Sequence, residues 1–263
     1  MINPDGIALH FQESGDPKGA PLVFSNALGT DMRIWEGVLP LLPEGLRVIR
    51  YDSRGHGASD CPPAPYSMGG LIHDAEVLLD ALSIKDCVFV GLSIGGMVAQ
   101  GLAAKRLDLV RAVVLSNTAP KIGTRALWQD RIDKVREGGI AAVSEAVMER
   151  SFPKSFRAQG LHRPWQELLE STPESGYIGC AAAIAGSDFF TTTAALRLPA
   201  LVIAGDHDGS TPPDLMRELA EMIPGAEYKL IRGTGHLPCI ERPEVYAATL
   251  TEFLSQIGHI KAS

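Results

Sequence analysis

A serine lies in a short segment whose glycine spacing suits nucleophilic chemistry. Ser93 is the centre of the pattern Gly-Leu-Ser-Ile-Gly over residues 91–95, between an apolar run and a helical pattern. In a sharp strand-to-helix turn the serine backbone is strained and its hydroxyl is exposed, so the residues two positions away on either side must be small. The glycine-serine pattern is weak evidence on its own, and its place between a strand signal and a helix signal makes it significant. The sequence therefore predicts that Ser93 is a nucleophile that attacks an ester-type bond.

A serine hydroxyl is a poor nucleophile at neutral pH, so it needs a base that a carboxylate orients. With this serine motif the acid follows the serine along the chain, and the histidine follows the acid. His162 falls in a helical region, and His207 stands beside the candidate acids. His236 is in a loop directly after the last predicted strand. We predict that His236 is the base.

Two carboxylates compete for the role of the acid. Asp206 and Asp208 both follow the apolar run at residues 200–204. A carboxylate immediately after a strand tends to be held by nearby backbone donors instead of reaching an imidazole. This argument favours Asp208 and leaves Asp206 as the alternative.

Attack on a carbonyl creates an oxyanion, which two fixed amide donors stabilise. The residue after the nucleophile, Ile94, is the candidate for one donor, with the dipole of the following helix behind it. The second donor is expected from a loop after an earlier strand, and Leu28 in the loop at residues 25–29 has that position.

Apolar runs rich in β-branched residues alternate with helical patterns along the chain. Runs without polar alternation suit strands buried on both faces, and this alternation predicts an α/β fold with a mostly parallel sheet and helices on both faces. We expect an edge strand over residues 7–13 and a final helix over 243–257. The buried strands are expected at 21–25, 47–51, 87–91, 110–115 and 200–204, and the last strand at 227–232.

The alternation of strand and helix signals stops between residues 120 and 196, where helical patterns follow one another without a strand signal. They cover residues 126–137, 140–151, 165–169 and 178–186. We predict one domain with a core formed by residues 1–120 and 197–263 and a helical cap formed by 121–196. A cap inserted between two sheet strands is placed to cover the carboxyl ends of the strands, where α/β sheets bind ligands.

Composition excludes several classes of function. The chain has 263 residues, 45% of them hydrophobic, and a net charge of −7 without a basic run, which argues against a nucleic-acid partner. Four scattered cysteines without CxxC spacing indicate free thiols. No apolar run is long enough to span a membrane, and residues 1–6 lack a basic and apolar leader. We expect a cytoplasmic protein that binds no membrane; the sequence leaves its oligomeric state open.

Three segments resemble the α/β-hydrolase superfamily, and the resemblance extends over essentially the whole chain. They are Tyr-Asp-Ser-Arg-Gly-His-Gly-Ala-Ser at 51–59, the serine segment at 91–96, and Gly-His-Leu-Pro at 235–238. More narrowly, residues 25–30, 50–57 and 117–123 look like those of the 3-oxoadipate enol-lactonases of the bacterial β-ketoadipate pathway. The chain departs from many relatives at Asn26 and Ala27, where they have His-Gly, and Ala27 replaces a serine of the narrower family.

The resemblance implies an α/β-hydrolase fold and a mechanism without metal or cofactor. The family pattern of glycine, two residues and aspartate selects Asp208 as the acid. Ser93 would attack the lactone carbonyl while His236 takes its proton, and Asp208 would stabilise the imidazolium. Ile94 and Leu28 would hold the oxyanion, and the ring would open to 3-oxoadipate.

Such a substrate bears a free carboxylate, so a cationic anchor is expected near the pocket. Trp128 and Arg131 share one face of a predicted helix, and the residues three and four positions from Arg131 are not acidic. We predict that Trp128 lines the pocket and that Arg131 binds the carboxylate. An arginine that snorkels from a core-facing helix is an equally good interpretation. Arg54 is a second candidate, unless Asp52 or Asp60 pairs with it.

Other functions remain open on the same scaffold. A general carboxylesterase or a carbon-carbon bond hydrolase would share the serine, acid and histidine and differ in the cap. A ligand receptor can keep the three residues and signal through the cap. Haloalkane dehalogenases are disfavoured because their nucleophile is an aspartate where this chain has Ser93. Dinucleotide binding is disfavoured because no Gly-x-Gly-x-x-Gly follows a strand.

Overall fold

The computed structural model describes residues 6–261. One seven-stranded sheet has the order β1-β3-β2-β4-β5-β6-β7, in which β1 is antiparallel to β3 and every other neighbouring pair is parallel. This confirms the predicted mostly parallel sheet. The strands are β1 (Phe11–Gly15), β2 (Ala20–Ser25), β3 (Leu46–Tyr51), β4 (Cys87–Leu92), β5 (Val110–Ser116), β6 (Ala200–Gly205) and β7 (Glu227–Ile231).

The central strands follow directly from the apolar runs. Every residue of β4 and of β6 is buried, as expected for strands with helices on both faces. The predicted bounds of the six strands β2 to β7 agree with the structure within two residues.

A strand at the edge of the sheet was predicted over residues 7–13. β1 does lie at the edge, but its predicted bounds are wrong, because it covers Phe11–Gly15. The residues before β1 hydrogen-bond to the loop after β3 instead of continuing the ladder. The backbone N–H of Asp60 donates to the carbonyl of Ala8 (2.9 Å), and that of His10 donates to Ser59 Oγ (2.9 Å). Residues of this loop therefore take backbone groups that the prediction had assigned to the sheet.

Helices cover both faces of the sheet, and two short 3-10 helices, Met32–Trp35 and Leu39–Leu41, follow β2. The α-helices are α1 (Met68–Ala81), α2 (Ile94–Lys105), α3 (Arg125–Gly138), α4 (Ala141–Ser151), α5 (Lys154–Ala158), α6 (Arg163–Glu170), α7 (Glu174–Ala185), α8 (Phe190–Ala194), α9 (Pro213–Met222), α10 (Pro238–Glu241) and α11 (Pro243–Gln256). Within residues 6–261 no helix has the length and apolar character of a membrane span. The expectation that residues 1–6 form no leader falls mostly on residues 1–5, which lie outside the described range.

Six helices, α3 to α8, occupy the chain between β5 and β6, where the insertion was predicted. The sequence patterns missed α5 and α8, which have only five residues each. We call residues 121–196 the cap segment; the division of the chain into core and cap stays a prediction. At α8 the cap segment is hydrogen-bonded to helix α2, because Thr193 Oγ1 donates to Gln100 Oε1 (2.5 Å).

Arg54 fastens the loop after β3 to helix α1. Its Nε and Nη2 atoms donate to the two carboxylate oxygens of Asp74 at 2.5 and 2.7 Å. The side chains are only 11% and 2% exposed. The acidic partner is thus Asp74, and not Asp52 or Asp60 as expected from sequence proximity. The sequence did not indicate this ion pair, because Asp74 lies 20 residues after Arg54 and on helix α1.

We expect the Arg54→Met variant to lower the free energy of unfolding by about 3 kcal/mol, because Asp74 stays buried after its guanidinium partner is removed. Denaturant unfolding measures this change. The matched control is Arg136→Met, since Arg136 forms an ion pair with Asp133 in which both side chains are at least half exposed. The control should change the stability by less than about 1 kcal/mol. Equal changes in the two variants would contradict a structural role for Arg54.

Candidate active site

Ser93 stands in the turn between β4 and α2. Its φ of +58° and ψ of −117° are strained for a residue with a side chain. The Ser93 N–H donates to the carbonyl of Ser116 (3.0 Å), and Thr118 Oγ1 donates to the Ser93 carbonyl (2.6 Å). A Cβ atom on Gly91 would overlap the backbone of Gly95, and one on Gly95 would overlap the end of β2. The glycine spacing is therefore a steric requirement of this turn.

Asp208 and His236 meet at the ends of β6 and β7. Asp208 Oδ2 lies 2.7 Å from His236 Nδ1, and both side chains are buried. Thr211 Oγ1 (2.7 Å) and Asn117 Nδ2 (2.9 Å) also donate to Oδ2. Burial on its own would raise the pKa of Asp208, but the charge and hydrogen bond of His236 and the donors Asn117 and Thr211 bring that pKa below its usual value. Asp208 is therefore held as a carboxylate beside the imidazole.

Asp206, the alternative acid, has a different position. Its Oδ1 accepts hydrogen bonds from the backbone N–H groups of Gly233 (2.7 Å) and Thr234 (3.2 Å). These are the backbone donors that the sequence argument anticipated for a carboxylate directly after a strand. Asp206 shapes the loop that ends in His236, and the geometry favours Asp208 as the group that faces the imidazole.

Ser93 and His236 line one cavity, so the structure brings the predicted nucleophile and base to the same space. Because His236 Nδ1 faces Asp208, the Nε2 atom is the ring nitrogen available to a reacting group. In residues 6–261 the Ser93 hydroxyl has no hydrogen-bond partner. Hydrogen bonds between a nucleophile and its base are often loose without substrate and tighten in the complex.

The two predicted oxyanion donors come from two separate segments of the chain. Ile94 is the first residue of α2, and Leu28 lines the same cavity as Ser93. Neither backbone N–H donates a hydrogen bond to another described residue. Gly29, with φ +73°, donates from its N–H to His56 Nε2 (2.9 Å). Burial lowers the pKa of His56, which keeps its Nε2 available as an acceptor that holds the Leu28 loop.

Asn26, where many relatives have histidine, is part of the scaffold of this loop. Its Nδ2 donates to the carbonyl of Tyr51 (2.8 Å), and its Oδ1 accepts from Trp35 Nε1 (2.8 Å). Both bonds are buried. The substitution therefore keeps the loop fixed by hydrogen bonds to β3 and to the 3-10 helix that follows β2.

The cavity at Ser93 has a volume of about 120 Å³, and the cap segment forms much of its wall. Trp128 and Arg131 line it from α3, where the guanidinium carbon lies 4.6 Å from the centre of the Trp128 ring. Trp128 Nε1 donates to the carbonyl of Ile122 (2.6 Å). Arg54, the second predicted anchor, does not line this cavity and is paired with Asp74.

Arg150 is a cavity residue that the sequence argument missed. It lines the cavity from α4, together with Val147 of the same helix. Burial lowers the pKa of Arg150, and the charge of Arg131 lowers it further. In the described chain neither arginine has a carboxylate within 4.0 Å. Val143, Val147 and Arg150 follow at helical spacing, so the periodicity of α4 was a signal that could have identified Arg150.

Asn117 is the other important residue that sequence reasoning did not identify as part of the site. It is fully buried after β5, with φ +45°. Its Nδ2 donates to Asp208 and also to the carbonyl of Gly235 (3.1 Å), so it joins the loop of the acid to the loop of His236. An asparagine at a strand end is a usable signal, because asparagine tolerates positive φ better than most residues.

Comparison with known proteins agrees with this fold. 3-Oxoadipate enol-lactonase 2 of Acinetobacter baylyi is 32% identical over 248 residues, which cover 93% of this chain and 92% of that protein. The crystal structure of the enol-lactonase from Burkholderia xenovorans LB400 has a TM-score of 0.91 and 35% identity and covers 95% of this chain and 98% of that one. A thermophilic esterase from Thermogutta terrifontis, solved with malate bound, has a TM-score of 0.90 and 27% identity, with coverage of 97% and 96%. The model of the α/β hydrolase fold family matches residues 20–243, and the chain belongs to that family.

Proposed function

We propose that this hydrolase opens 3-oxoadipate enol-lactone to 3-oxoadipate in the β-ketoadipate pathway of aromatic breakdown. The observation that supports this proposal best is the pair Arg131 and Arg150 in the cavity of Ser93. The near full-length similarity to enol-lactonases supports the choice of lactone.

We further propose that the reaction takes place in the cytoplasm, because the four cysteines are free thiols, which suits a reducing compartment.

The two arginines favour an anion for a physical reason. Both guanidinium groups are partly buried, and each is close enough to the other for their charges to interact unfavourably. A bound carboxylate would offset this repulsion and accept charge-assisted hydrogen bonds from a planar fork of donors. The small cavity also favours a compact substrate over an ester with a long acyl chain. A lactone with a short carboxylate arm meets both requirements.

In the proposed reaction Ser93 Oγ attacks the lactone carbonyl while His236 Nε2 accepts the hydroxyl proton. Asp208 stabilises the imidazolium through Nδ1. The amide groups of Leu28 and Ile94 donate to the oxyanion of the tetrahedral intermediate.

Collapse of this intermediate breaks the bond between the carbonyl carbon and the ring oxygen. The enol oxygen receives the proton from His236, and the enol then tautomerises to the ketone. His236 next takes a proton from water, which attacks the acyl-serine and releases the second carboxylate.

The proposal is tested by following the loss of the enol-lactone absorbance. Wild type should turn the lactone over, and Ser93→Ala should not. We expect Arg131→Ala and Arg150→Ala each to lower kcat/KM for the lactone roughly 10- to 100-fold, because a charge-assisted hydrogen bond contributes roughly 1.5–3 kcal/mol. Turnover of an uncharged aryl ester should change little in either variant. Arg136→Ala, an exposed position on α3, is the matched control.

Two results would overturn the assignment. Uncharged aryl esters turned over much faster than the lactone by wild type would indicate a general carboxylesterase. An equal loss of activity on charged and uncharged substrates in the arginine variants would remove the carboxylate anchor.

A second prediction separates the two carboxylates. We expect Asp208→Asn to lower kcat about 10⁴-fold, because an amide holds the imidazole in the wrong tautomer. Asp206→Asn should cost less than roughly tenfold, since the asparagine oxygen can still accept from the backbone donors of the loop. Steady-state kinetics of the two variants provide the measurement. A larger loss in Asp206→Asn would reverse the assignment of the acid.

A further inference from the structure

A second cavity lies outside the cavity of Ser93, between helices α3 and α4. Its volume is about 180 Å³. Leu127, Arg131 and Arg150 line both cavities, and the outer one is otherwise lined by residues that include the exposed Lys134 and Ala146. The two spaces are therefore neighbours that share these three residues in their walls.

The outer cavity is positively charged in a chain whose net charge is −7. Lys134 Nζ forms an ion pair with Asp130 Oδ2 at 2.7 Å, and these two charges balance. Arg131 and Arg150 contribute two further positive charges, and no carboxylate of the described chain lies within 4.0 Å of either. A cationic cleft with protein walls concentrates anions and raises their rate of association.

We propose that the outer cavity is the passage through which carboxylate-bearing substrates reach Ser93. This inference rests on the proposed function for its choice of ligand. The carboxylate first meets the charge of the outer cavity, and it is then transferred to the inner side of Arg131 and Arg150. Ala146 keeps the passage open, because its small side chain projects from α4 where a larger one would fill the space.

The end of α4 is fixed, so the passage opens by movement of side chains. The carbonyl of Arg150 accepts from the N–H of Gly209 (2.9 Å), and that of Ser151 accepts from the N–H of His236 (2.7 Å). A displacement of this helix end would break both bonds and disturb the loops of Asp208 and His236. A rotation of the Arg131 side chain away from Trp128 costs the cation–π contact and the hydrogen bond to Tyr177, and it leaves the backbone in place.

The steric part of the inference is tested by measuring how fast adipate binds to wild type and to single variants. Tryptophan fluorescence in a stopped-flow instrument reports the binding. We expect Ala146→Phe to slow association and dissociation by the same factor, about tenfold or more, with an unchanged Kd. A residue of the binding site would change Kd instead. The matched control is Ala141→Phe, an exposed alanine of α4 outside the cavity, which should leave both rates unchanged.

The electrostatic part uses Lys134→Gln, with Lys121→Gln as control, because both lysines are exposed and paired with an aspartate. Lys134→Gln should slow adipate association roughly twofold at low ionic strength, and the difference should vanish at high salt. Unchanged rates in Ala146→Phe, or the absence of adipate binding to wild type, would overturn the passage. The proposed function fails separately, if wild type binds adipate with these kinetics but does not open the lactone.

Discussion

Ser93 occupies a backbone conformation that a residue with a side chain adopts only when its surroundings hold it there. A φ of +58° at this position costs of the order of 1–3 kcal/mol. The buried strand β4, the helix α2, and the hydrogen bonds to Ser116 and Thr118 maintain it. The remaining parts of the site are arranged around the hydroxyl that this turn exposes. The parallel sheet brings the loops after β2, β5, β6 and β7 to the same edge as the turn.

The cap segment is linked to the reactive loops through a few backbone hydrogen bonds. The carbonyls at the end of α4 accept from Gly209, next to Asp208, and from His236 itself. The same helix end presents Arg150 to the cavity. The group proposed to bind the substrate carboxylate and the groups proposed to transfer its proton therefore share one rigid support. A support of this kind helps catalysis because the position of the bound carboxylate sets the position of the carbonyl relative to Ser93.

Much of this arrangement could be predicted from the sequence because it depends on local patterns. The turn at Ser93 follows from two glycines and an apolar run, and the positions of Asp208 and His236 follow from the strands that precede them. Contacts between distant segments could not be predicted in the same way. Arg54 pairs with a carboxylate on α1, and His10 before β1 pairs with Ser59, which lies 49 residues later in the chain. The strand-end position of Asn117 was a signal, but the loops that Asn117 and His56 hold become visible only when the strands are assembled.

The central claim is that Ser93 forms an acyl-enzyme with a lactone whose leaving group stays attached. Rapid acid quenching of wild type during turnover, followed by mass spectrometry of the intact protein and its peptides, tests it most directly. Ring opening without loss of an alcohol predicts an adduct with the full mass of the lactone on the peptide that contains Ser93. An adduct on another residue, or turnover that persists in a protein whose Ser93 is blocked, would contradict the account.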